Sequence, residues 1–377
     1  MSASVRAAAA LVLAAGPAFS GALDRTGQPI DPLFEPGGYA ELNFGKAWPD
    51  VSGEQVIDVG PFLSGFESGD LTEQFTTFGL AVKRDFTDRF SAALIYDRPL
   101  GGDVAYPNMP YFAQNSTAEV DSNALTALLR YRFGNGVSVH GGLRYQTLEG
   151  SVSIPFVGGA VGAPYALETD RDEAWGYVAG VAYEIPEIAL RVALTYSSEI
   201  DHDLPASEVG PFPSEDSTLG ITTPESIRLD FQTGIAADTL LFGSIRWADW
   251  SEFTIEPENY VAVTGGPVLF YPDDITTYQL GLGRRFTERF SGAVSVAYED
   301  QSDDLRTNLG PTSGVTSIGL AGTYDFGAVE VTGAVQYGWL GDARTQIRDP
   351  ASRQIVQVGE FEDNDVVAVG LQLAYRF

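Results

Sequence analysis

NDVVAVGLQLAYRF, residues 364–377, alternates large apolar side chains with small or polar ones. One face of such a strand carries Val367, Val369, Leu371, Leu373, Tyr375 and Phe377. The other face carries Val366, Ala368, Gly370, Gln372, Ala374 and Arg376. This period-two pattern is typical of a transmembrane β-barrel, whose strands turn an apolar face to lipid and a small or polar face to the lumen. A final aromatic residue is also common in bacterial outer-membrane barrels.

Working back from this strand, thirteen further segments show the same alternation, and short polar turns alternate with long loops between them. The predicted strands are 38–49, 74–86, 89–98, 120–133, 137–149, 173–185, 188–200, 224–236, 239–252, 275–286, 289–300, 315–326, 329–340 and 364–377. The short turns are predicted at 87–88, 134–136, 186–187, 237–238, 287–288 and 327–328. Short turns on one side and long loops on the other predict an all-β, fourteen-stranded antiparallel transmembrane β-barrel, with both ends on the periplasmic side.

The N-terminal stretch predicts export from the cytoplasm. Arg6 precedes a short apolar run, residues 7–15, and small residues follow near Ala22, so residues 1–22 are interpreted as a signal peptide. No later run reaches about 18 apolar residues, so no membrane-spanning helix is expected. The predicted organisation is a signal peptide (1–22), a short N-terminal hatch (23–37) and the barrel (38–377). We therefore expect the protein in the bacterial outer membrane, in contact with lipid and lipopolysaccharide.

Composition excludes several classes of function. The formal charge is −29, which argues against nucleic-acid binding. The chain has no Cys and two His, so disulfides, thiolate metal sites and His-based metal sites are not expected. His140 has no evident Ser–Asp partners and His202 lies in an acidic loop, so no enzyme is predicted, and no cofactor. The acidity itself is interpreted as a solvated, self-repelling surface, with divalent cations bridging acidic loops as the alternative.

Four stretches carry a family resemblance. TTPESIRLDFQTGIAADTLLFGSIRWADWSEFT (222–254), ALRVALTYSSEIDHDL (189–204), TTYQLGLGRRFTERFSGAVSVAYEDQS (276–302) and GYAELNFGKAWPDVSG (38–53) follow one another in the order and spacing of the FadL/TodX family of outer-membrane hydrophobe transporters. In these four stretches the chain resembles that family.

The resemblance implies a plugged barrel that works as a monomer and without ATP. A hatch fills the lumen, an apolar groove among the outer loops captures the ligand, and a kink in the third strand lets it leave sideways into the membrane. The implied ligand is a long-chain fatty acid or a similar hydrophobic compound, with aromatic hydrocarbons as the alternative. The short hatch lacks the family's Asn-Pro-Ala element, so a reduced plug, outer loops that help to close the lumen and a general diffusion porin all stay open.

Strand parity suggests which residues meet the ligand. Arg144, Arg228 and Arg246 fall on the lumen face, where a guanidinium can bind a carboxylate in a bidentate manner. The alternative is that they pair with lumenal acids such as Asp230 and Glu41. The lumen-directed Phe242 and Trp250 are expected to form apolar wall or to pack against the hatch.

Two further features belong to the predicted path. Phe156 and Tyr165 are predicted to form the outer groove, together with Pro155, Val157, Val161 and Pro164 and with Tyr106, Met109, Tyr111 and Phe112 of the second outer loop. Pro99, Gly101 and Gly102 follow the third strand, where proline and glycine interrupt a ladder. They are interpreted as the lateral-gate kink, with a simple turn out of the strand as the alternative.

Overall fold

The computed structural model describes residues 22–157, 164–210, 215–349, 352 and 354–377. The predicted signal peptide lies outside these residues except for Ala22, and Val161 also lies outside them. The strands in the described ranges are β1 (Tyr39–Asp50), β2 (Glu54–Gln55), β3 (Phe75–Asp85), β4 (Phe90–Asp97), β5 (Gly101–Ala105), β6 (Thr117–Arg132), β7 (Val137–Ile154), β8 (Tyr165–Thr169), β9 (Asp172–Ile185), β10 (Leu190–Ser197), β11 (Ile200–Val209), β12 (Glu215–Thr223), β13 (Ser226–Ala236), β14 (Thr239–Ala248), β15 (Thr254–Ile255), β16 (Leu269–Phe270), β17 (Ile275–Arg285), β18 (Phe290–Glu299), β19 (Val315–Asp325), β20 (Val329–Leu340), β21 (Ala343–Arg348), β22 (Ile355–Phe361) and β23 (Asp365–Arg376). One α-helix, α1 (Glu258–Thr264), and the 3-10 turns Asp31–Phe34, Pro186–Ile188 and Trp250–Glu252 accompany them.

Fourteen of these strands form a closed antiparallel barrel, as the alternation predicted. Their order around the wall is β1, β3, β4, β6, β7, β9, β10, β13, β14, β17, β18, β19, β20 and β23. The barrel closes where β1 pairs with β23, from Tyr39 opposite Arg376 to Asp50 opposite Asp365. The strands β5, β8, β11 and β12 continue barrel strands beyond an irregularity, so the wall extends above the membrane on one side.

The predicted faces are also confirmed. On β23, Val369 and Leu371 are 42% and 45% exposed towards lipid, whereas Ala368 and Ala374 are buried at 1% and 3% on the lumen side. The lumen faces of neighbouring strands carry buried polar side chains, among them Gln372, Thr332 and Gln336. The inner face is therefore both polar and buried, and wall side chains hydrogen-bond one another there, as where Gln336 donates to Ser317 at 2.8 Å.

The short turns lie where they were predicted. In the turn between β6 and β7, Gly134 and Gly136 adopt φ values of 88° and 87°. At Gly136 a side chain would also meet the Glu184 carbonyl and the Tyr183 ring. Only glycine combines this left-handed backbone with so close a neighbour.

The outer half of the lumen is filled by the long loops. Their largest apolar cluster includes Leu71, Tyr111, Trp250, Phe253 and Phe361, each at most 1% exposed. The three-stranded sheet β2–β22–β21 and the hairpin β15–β16 form part of these loops. These loop strands were not among the fourteen predicted strands. No helix in the described ranges has the length and apolar character needed to cross a membrane.

Candidate functional site

The third barrel strand is interrupted at Arg98–Leu100. The strand β4 pairs with β6 up to Asp97 opposite Ala124, and β5 resumes this pairing at Gly101 opposite Asp121. Three residues on one strand therefore face two on the other, which is a β-bulge. The Ser122 hydroxyl stabilises it, since it accepts a hydrogen bond from the Leu100 amide (2.8 Å) and donates one to the Leu100 carbonyl (2.9 Å). The chain thus stays in the wall at Gly101 and Gly102 instead of leaving it in a turn.

The interruption opens a gap in the wall. The ladder between β3 and β4 runs from Asp85 opposite Ser91 to Leu80 opposite Tyr96 and ends there. Residues 75–79 of β3 have no ladder partner on this side in the described part of the chain, and only an isolated bridge joins Thr72 to Val104 beyond them. The ladder between neighbouring wall strands is therefore interrupted along residues 75–79, beside the kink.

The free edge of the kinked strand is taken by the hatch. The Arg25 amide donates to the Pro99 carbonyl (2.8 Å), and the Gly101 amide donates to the Leu23 carbonyl (2.9 Å). A side chain at Gly101 would overlap the Arg25 guanidinium, and one at Gly102 would come within 2.5 Å of Leu23. A side chain at either glycine would therefore displace a hatch side chain, Arg25 or Leu23.

The rest of the hatch is bound to the lumen wall through charge. Ion pairs join Asp24 to Arg246, Asp31 to Arg191 and Glu35 to Arg376, each at 2.6 Å. Between them, the Phe34 ring lies under the guanidinium groups of Arg130 and Arg191, at 4.5 and 4.8 Å. Residues 24–35 of the hatch therefore contact wall arginines of several strands.

Beside the kink lies an apolar cavity of about 160 Å³, which we call the inner cavity. Its walls come from the hatch, β5, β6 and the outer loops, and its lining includes Leu23, Val104, Val120, Leu269, Tyr271 and Leu309. Burial raises the pKa of Tyr271 above its usual value, so its phenol is neutral at physiological pH. An apolar site with few polar groups is suited to a hydrophobic ligand.

A larger depression of about 560 Å³ lies among the outer loops, and we call it the outer groove. It lies within the range of roughly 300–1,000 Å³ that is usual for small-molecule sites. Its lining includes Phe112, Phe156, Val157, Tyr260, Val263 and Ile347. Val268 and Leu309 line both the outer groove and the inner cavity, so the two adjoin at these side chains.

A third cavity, of about 160 Å³, lies at the gap in the wall, and we call it the window. It is lined by hatch residues, by lumen residues and by lipid-facing side chains, including Arg25, Pro29, Gly79, Tyr96, Phe78 and Leu371. Arg25 lines both the window and the inner cavity, and it forms an ion pair with Asp103 at 2.5 Å. The three cavities therefore form a series from the outer loops to the lipid side, with Arg25 between the last two.

The predicted arginines lie in the lumen but not in these cavities. Arg144 donates to Thr126 (3.0 Å) and to Gln28 of the hatch, and Arg228 donates to Asp230 (2.7 Å). Arg246 contacts Asp24. Each of the three thus binds a protein partner, and a role as carboxylate anchor stays a prediction that would require ligand to replace these contacts. Glu41 does not pair with arginine. Its carboxylate accepts hydrogen bonds from Tyr39, Asn43 and Gln372.

The predicted apolar residues divide into two groups. Phe156 lines the outer groove, and Tyr165 lies behind it, where its ring contacts Tyr260 at 5.1 Å and its hydroxyl donates to Glu208 at 2.8 Å. Trp250 is fully buried in the loop cluster, 5.1 Å from the Tyr271 ring.

Phe242 packs inside the barrel against Gly281. Of the second-loop residues, Phe112 lines the outer groove and Tyr106 stacks on Tyr111 at 5.5 Å.

The two histidines are bound to single partners. His140 contacts the Thr195 hydroxyl (3.0 Å) and His202 contacts the Asp172 carboxylate (2.9 Å). Within the described ranges, no three acidic or histidine side chains are grouped so that they could hold a metal ion.

Sequence reasoning missed Leu23, Arg25, Leu269 and Tyr271, although they line the inner cavity. Leu269 and Tyr271 lie in a loop whose alternation is too short to assign. Leu23 and Arg25 lie within three residues of the predicted cleavage site after Ala22. The sequence did contain a signal for these contacts. The hatch carries the acidic residues Asp24, Asp31 and Glu35, and the lumen face carries an excess of arginine with which they can pair.

A model of the outer membrane protein β-barrel domain matches residues 7–209, which is more than half of the chain. No curated protein matches the sequence.

Solved structures share the fold over almost the whole chain. A FadL homologue of Pseudomonas aeruginosa superposes with a TM-score of 0.75 at 14% identity, over 98% of each chain. The toluene transporter TodX of P. putida gives 0.63 at 14% identity, over 93% of this chain and 92% of that one. The toluene transporter TbuX of Ralstonia pickettii gives 0.60 at 12% identity, over 96% and 97%.

Proposed function

The chain belongs to the outer membrane protein β-barrel family, and from this membership and its three consecutive cavities we propose that it is a passive transporter of hydrophobic compounds across the bacterial outer membrane. Its proposed ligands are long-chain fatty acids or similar molecules. The fold shared with a FadL homologue and with toluene transporters supports this proposal.

The observation that carries the proposal is the continuity of the cavities. A ligand bound in the outer groove needs to pass only Val268 and Leu309 to reach the inner cavity. Each step removes apolar surface from water, which contributes about 25 cal/mol per Å². The ligand can therefore move inward along a gradient of affinity, without ATP or a cofactor. All three cavities belong to one chain, so we propose that a single barrel is sufficient.

We further propose that the ligand leaves through the window into the membrane. The hatch fills the periplasmic half of the lumen, so a straight path to the periplasm would require it to undock. The path through the gap between β3 and β5 requires that Arg25, which lines both the inner cavity and the window, moves from Asp103. Pro99, Gly101 and Gly102 act as the lateral gate in this proposal, because they hold β5 away from β3.

Aromatic hydrocarbons are the second candidate, and the size of the inner cavity favours them. At about 160 Å³ it is close to the roughly 150 Å³ apolar cavity that takes up benzene in an engineered protein. A long acyl chain would have to extend into the outer groove or the window. The two ligand classes therefore make different predictions for a variant that fills the inner cavity.

Equilibrium binding of radiolabelled oleate to the detergent-purified barrel tests the proposal, with unlabelled oleate and toluene as competitors. Leu269→Trp fills the inner cavity, and Leu320→Trp on the lipid face, where Leu320 is 57% exposed, is the matched control. Saturable binding that oleate alone displaces, and that Leu269→Trp weakens, supports fatty-acid transport. Displacement by toluene assigns the ligand to hydrocarbons. Absence of saturable binding in the unmodified protein would contradict the transport proposal and favour a diffusion porin.

A further inference from the structure

Two hairpins on different sides of the barrel share one sequence pattern at the periplasmic rim. KRDFTDRF (83–90) joins β3 to β4, and RRFTERF (284–290) joins β17 to β18. These hairpins occupy the second and third and the tenth and eleventh of the fourteen positions around the wall. The pattern contributes nothing to the transport path described above.

The two hairpins also share their backbone geometry. In the first, the Phe86 and Thr87 amides donate to the Phe90 carbonyl at 2.9 and 3.2 Å. In the second, Phe286 and Thr287 donate to Phe290 at 2.9 and 3.1 Å. The threonine hydroxyl of each turn accepts from the amides of the arginine and the phenylalanine two and three residues further on. The side chains of the pattern are therefore presented in the same way at both places.

Each hairpin places arginine on the outer surface of the barrel. Along β3 the lipid-facing row runs Leu80, Val82, Arg84, and along β17 it runs Leu280, Leu282, Arg284. Arg84 lies opposite Ala92 on the adjacent strand, and Arg284 lies opposite Gly292, so small residues flank both.

A pair of phenylalanine rings accompanies each arginine in its hairpin. The Phe86 and Phe90 rings lie 6.0 Å apart, and the Phe286 and Phe290 rings 5.9 Å apart. The second arginine of each pattern, Arg89 or Arg289, is exposed in the turn.

These four arginines contrast with the other cations of the chain. Within the described ranges, none of the four has an ion pair or a side-chain hydrogen bond, although the protein carries a formal charge of −29. The neighbouring Arg132 and Arg285, in contrast, are paired with Asp85 and Asp238. A guanidinium on the lipid face near the membrane surface is stabilised when it extends to the headgroups and binds phosphate there.

We propose that each hairpin binds the phosphate of an anionic phospholipid in the periplasmic leaflet, with Arg84 and Arg89 at one site and Arg284 and Arg289 at the other. The short turns assign the sites to this leaflet. The acyl chains then lie along the apolar rows above each arginine. A zwitterionic headgroup brings no net negative charge to the two arginines, so phosphatidylglycerol is expected to bind more tightly than phosphatidylcholine. Two sites keep the barrel at a fixed depth on both sides.

Native mass spectrometry of the delipidated barrel in detergent tests the proposal, with phosphatidylglycerol and phosphatidylcholine of the same chain length as probes. We expect two phosphatidylglycerol molecules per barrel at saturation. Each basic residue near a membrane surface contributes to the binding free energy of an anionic lipid, and the loss of two such residues weakens binding at one site about thirtyfold. Arg84→Gln with Arg89→Gln should therefore leave one tight site, as should Arg284→Gln with Arg289→Gln, and the fourfold variant should leave none.

The matched control is Arg171→Gln with Arg344→Gln, which removes the same charge from the outer loops, where the two pair with Glu149 and Asp303. It should still bind two phosphatidylglycerol molecules per barrel. Arg84→Lys with Arg89→Lys keeps the charge and should give intermediate affinity. Unchanged binding of phosphatidylglycerol to the fourfold variant, or equal binding of phosphatidylcholine to the unmodified barrel, would overturn the proposal.

Discussion

Replacing Asp31 with asparagine removes one charge from a buried ion pair between the hatch and the wall. The Asp31 carboxylate accepts a hydrogen bond from Arg191 at 2.6 Å, and the two side chains are 9% and 10% exposed. Loss of one partner from a buried pair costs about 3–5 kcal/mol, because the other charge stays buried without compensation. Arg191 retains the Phe34 ring at 4.8 Å, so we expect the lower end of this range.

At about 1.4 kcal/mol per tenfold change, a loss of about 3 kcal/mol raises the population of undocked hatch roughly a hundredfold. An undocked hatch leaves the periplasmic half of the lumen open to ions. Ion conductance in planar bilayers measures this directly, and we expect the open fraction of Asp31→Asn to exceed that of the unmodified barrel by about this factor.

Asp303→Asn is the control, because Asp303 pairs with Arg344 in the outer loops and its side chain is 97% exposed. It should conduct like the unmodified barrel. If Asp31→Asn stays closed, and Asp31→Asn combined with Asp24→Asn stays closed as well, the account of the hatch as a plug held by charge is wrong.

Three other perturbations have defined outcomes. Gly101→Ala should displace Arg25 from the kink, at a cost of about 1–3 kcal/mol in folding free energy. Isothermal titration should then show ligand binding at least several-fold weaker. Unchanged affinity would argue against the close approach of Arg25 to Gly101. Burial raises the pKa of Tyr260 to about 12, so its contribution to stability is complete below pH 10 and is lost as the pH rises through 12. Oleate binding to the outer groove should fall over this interval, and Tyr260→Phe should shift the loss to higher pH. Trp250→Ala should destabilise the outer-loop cluster by about 3–5 kcal/mol, seen as faster hydrogen exchange in the loops with unchanged exchange in the barrel strands.

The barrel strands could be predicted because one physical contrast acts along all of them. Each residue faces either lipid or lumen, so the alternation that ends at Phe377 is repeated in every strand, and the turns at 87–88 and 287–288 follow from it. The interruption of the third strand at Pro99 could also be predicted, since proline has no amide hydrogen to donate to the hydrogen bonds of a sheet.

The loop strands and the partners of the lumenal arginines could not be predicted in the same way. The strand β2 pairs with β22 about three hundred residues away, and Arg376 binds Glu35 across 341 positions. Such contacts form only in the closed barrel, and they leave no periodic pattern in the sequence around either residue. Arg246 is an example, because parity placed it in the lumen correctly but could not show that Asp24 of the hatch occupies the position in which a ligand carboxylate was expected.

We propose that ligand leaves through the window, and Gly79→Trp tests this proposal most directly. Gly79 lines the window, and a Cβ there would meet its nearest neighbours at an ordinary 3.6 Å, so a large side chain can enter the cavity without displacing the backbone. Gly220→Trp is the matched control, because Gly220 on β12 faces open space and lines none of the three cavities. In cells that depend on this barrel for uptake of radiolabelled oleate or toluene, we predict that Gly79→Trp abolishes uptake and retains ligand binding, while Gly220→Trp changes neither. Uptake by Gly79→Trp at the rate of the unmodified protein would contradict lateral release.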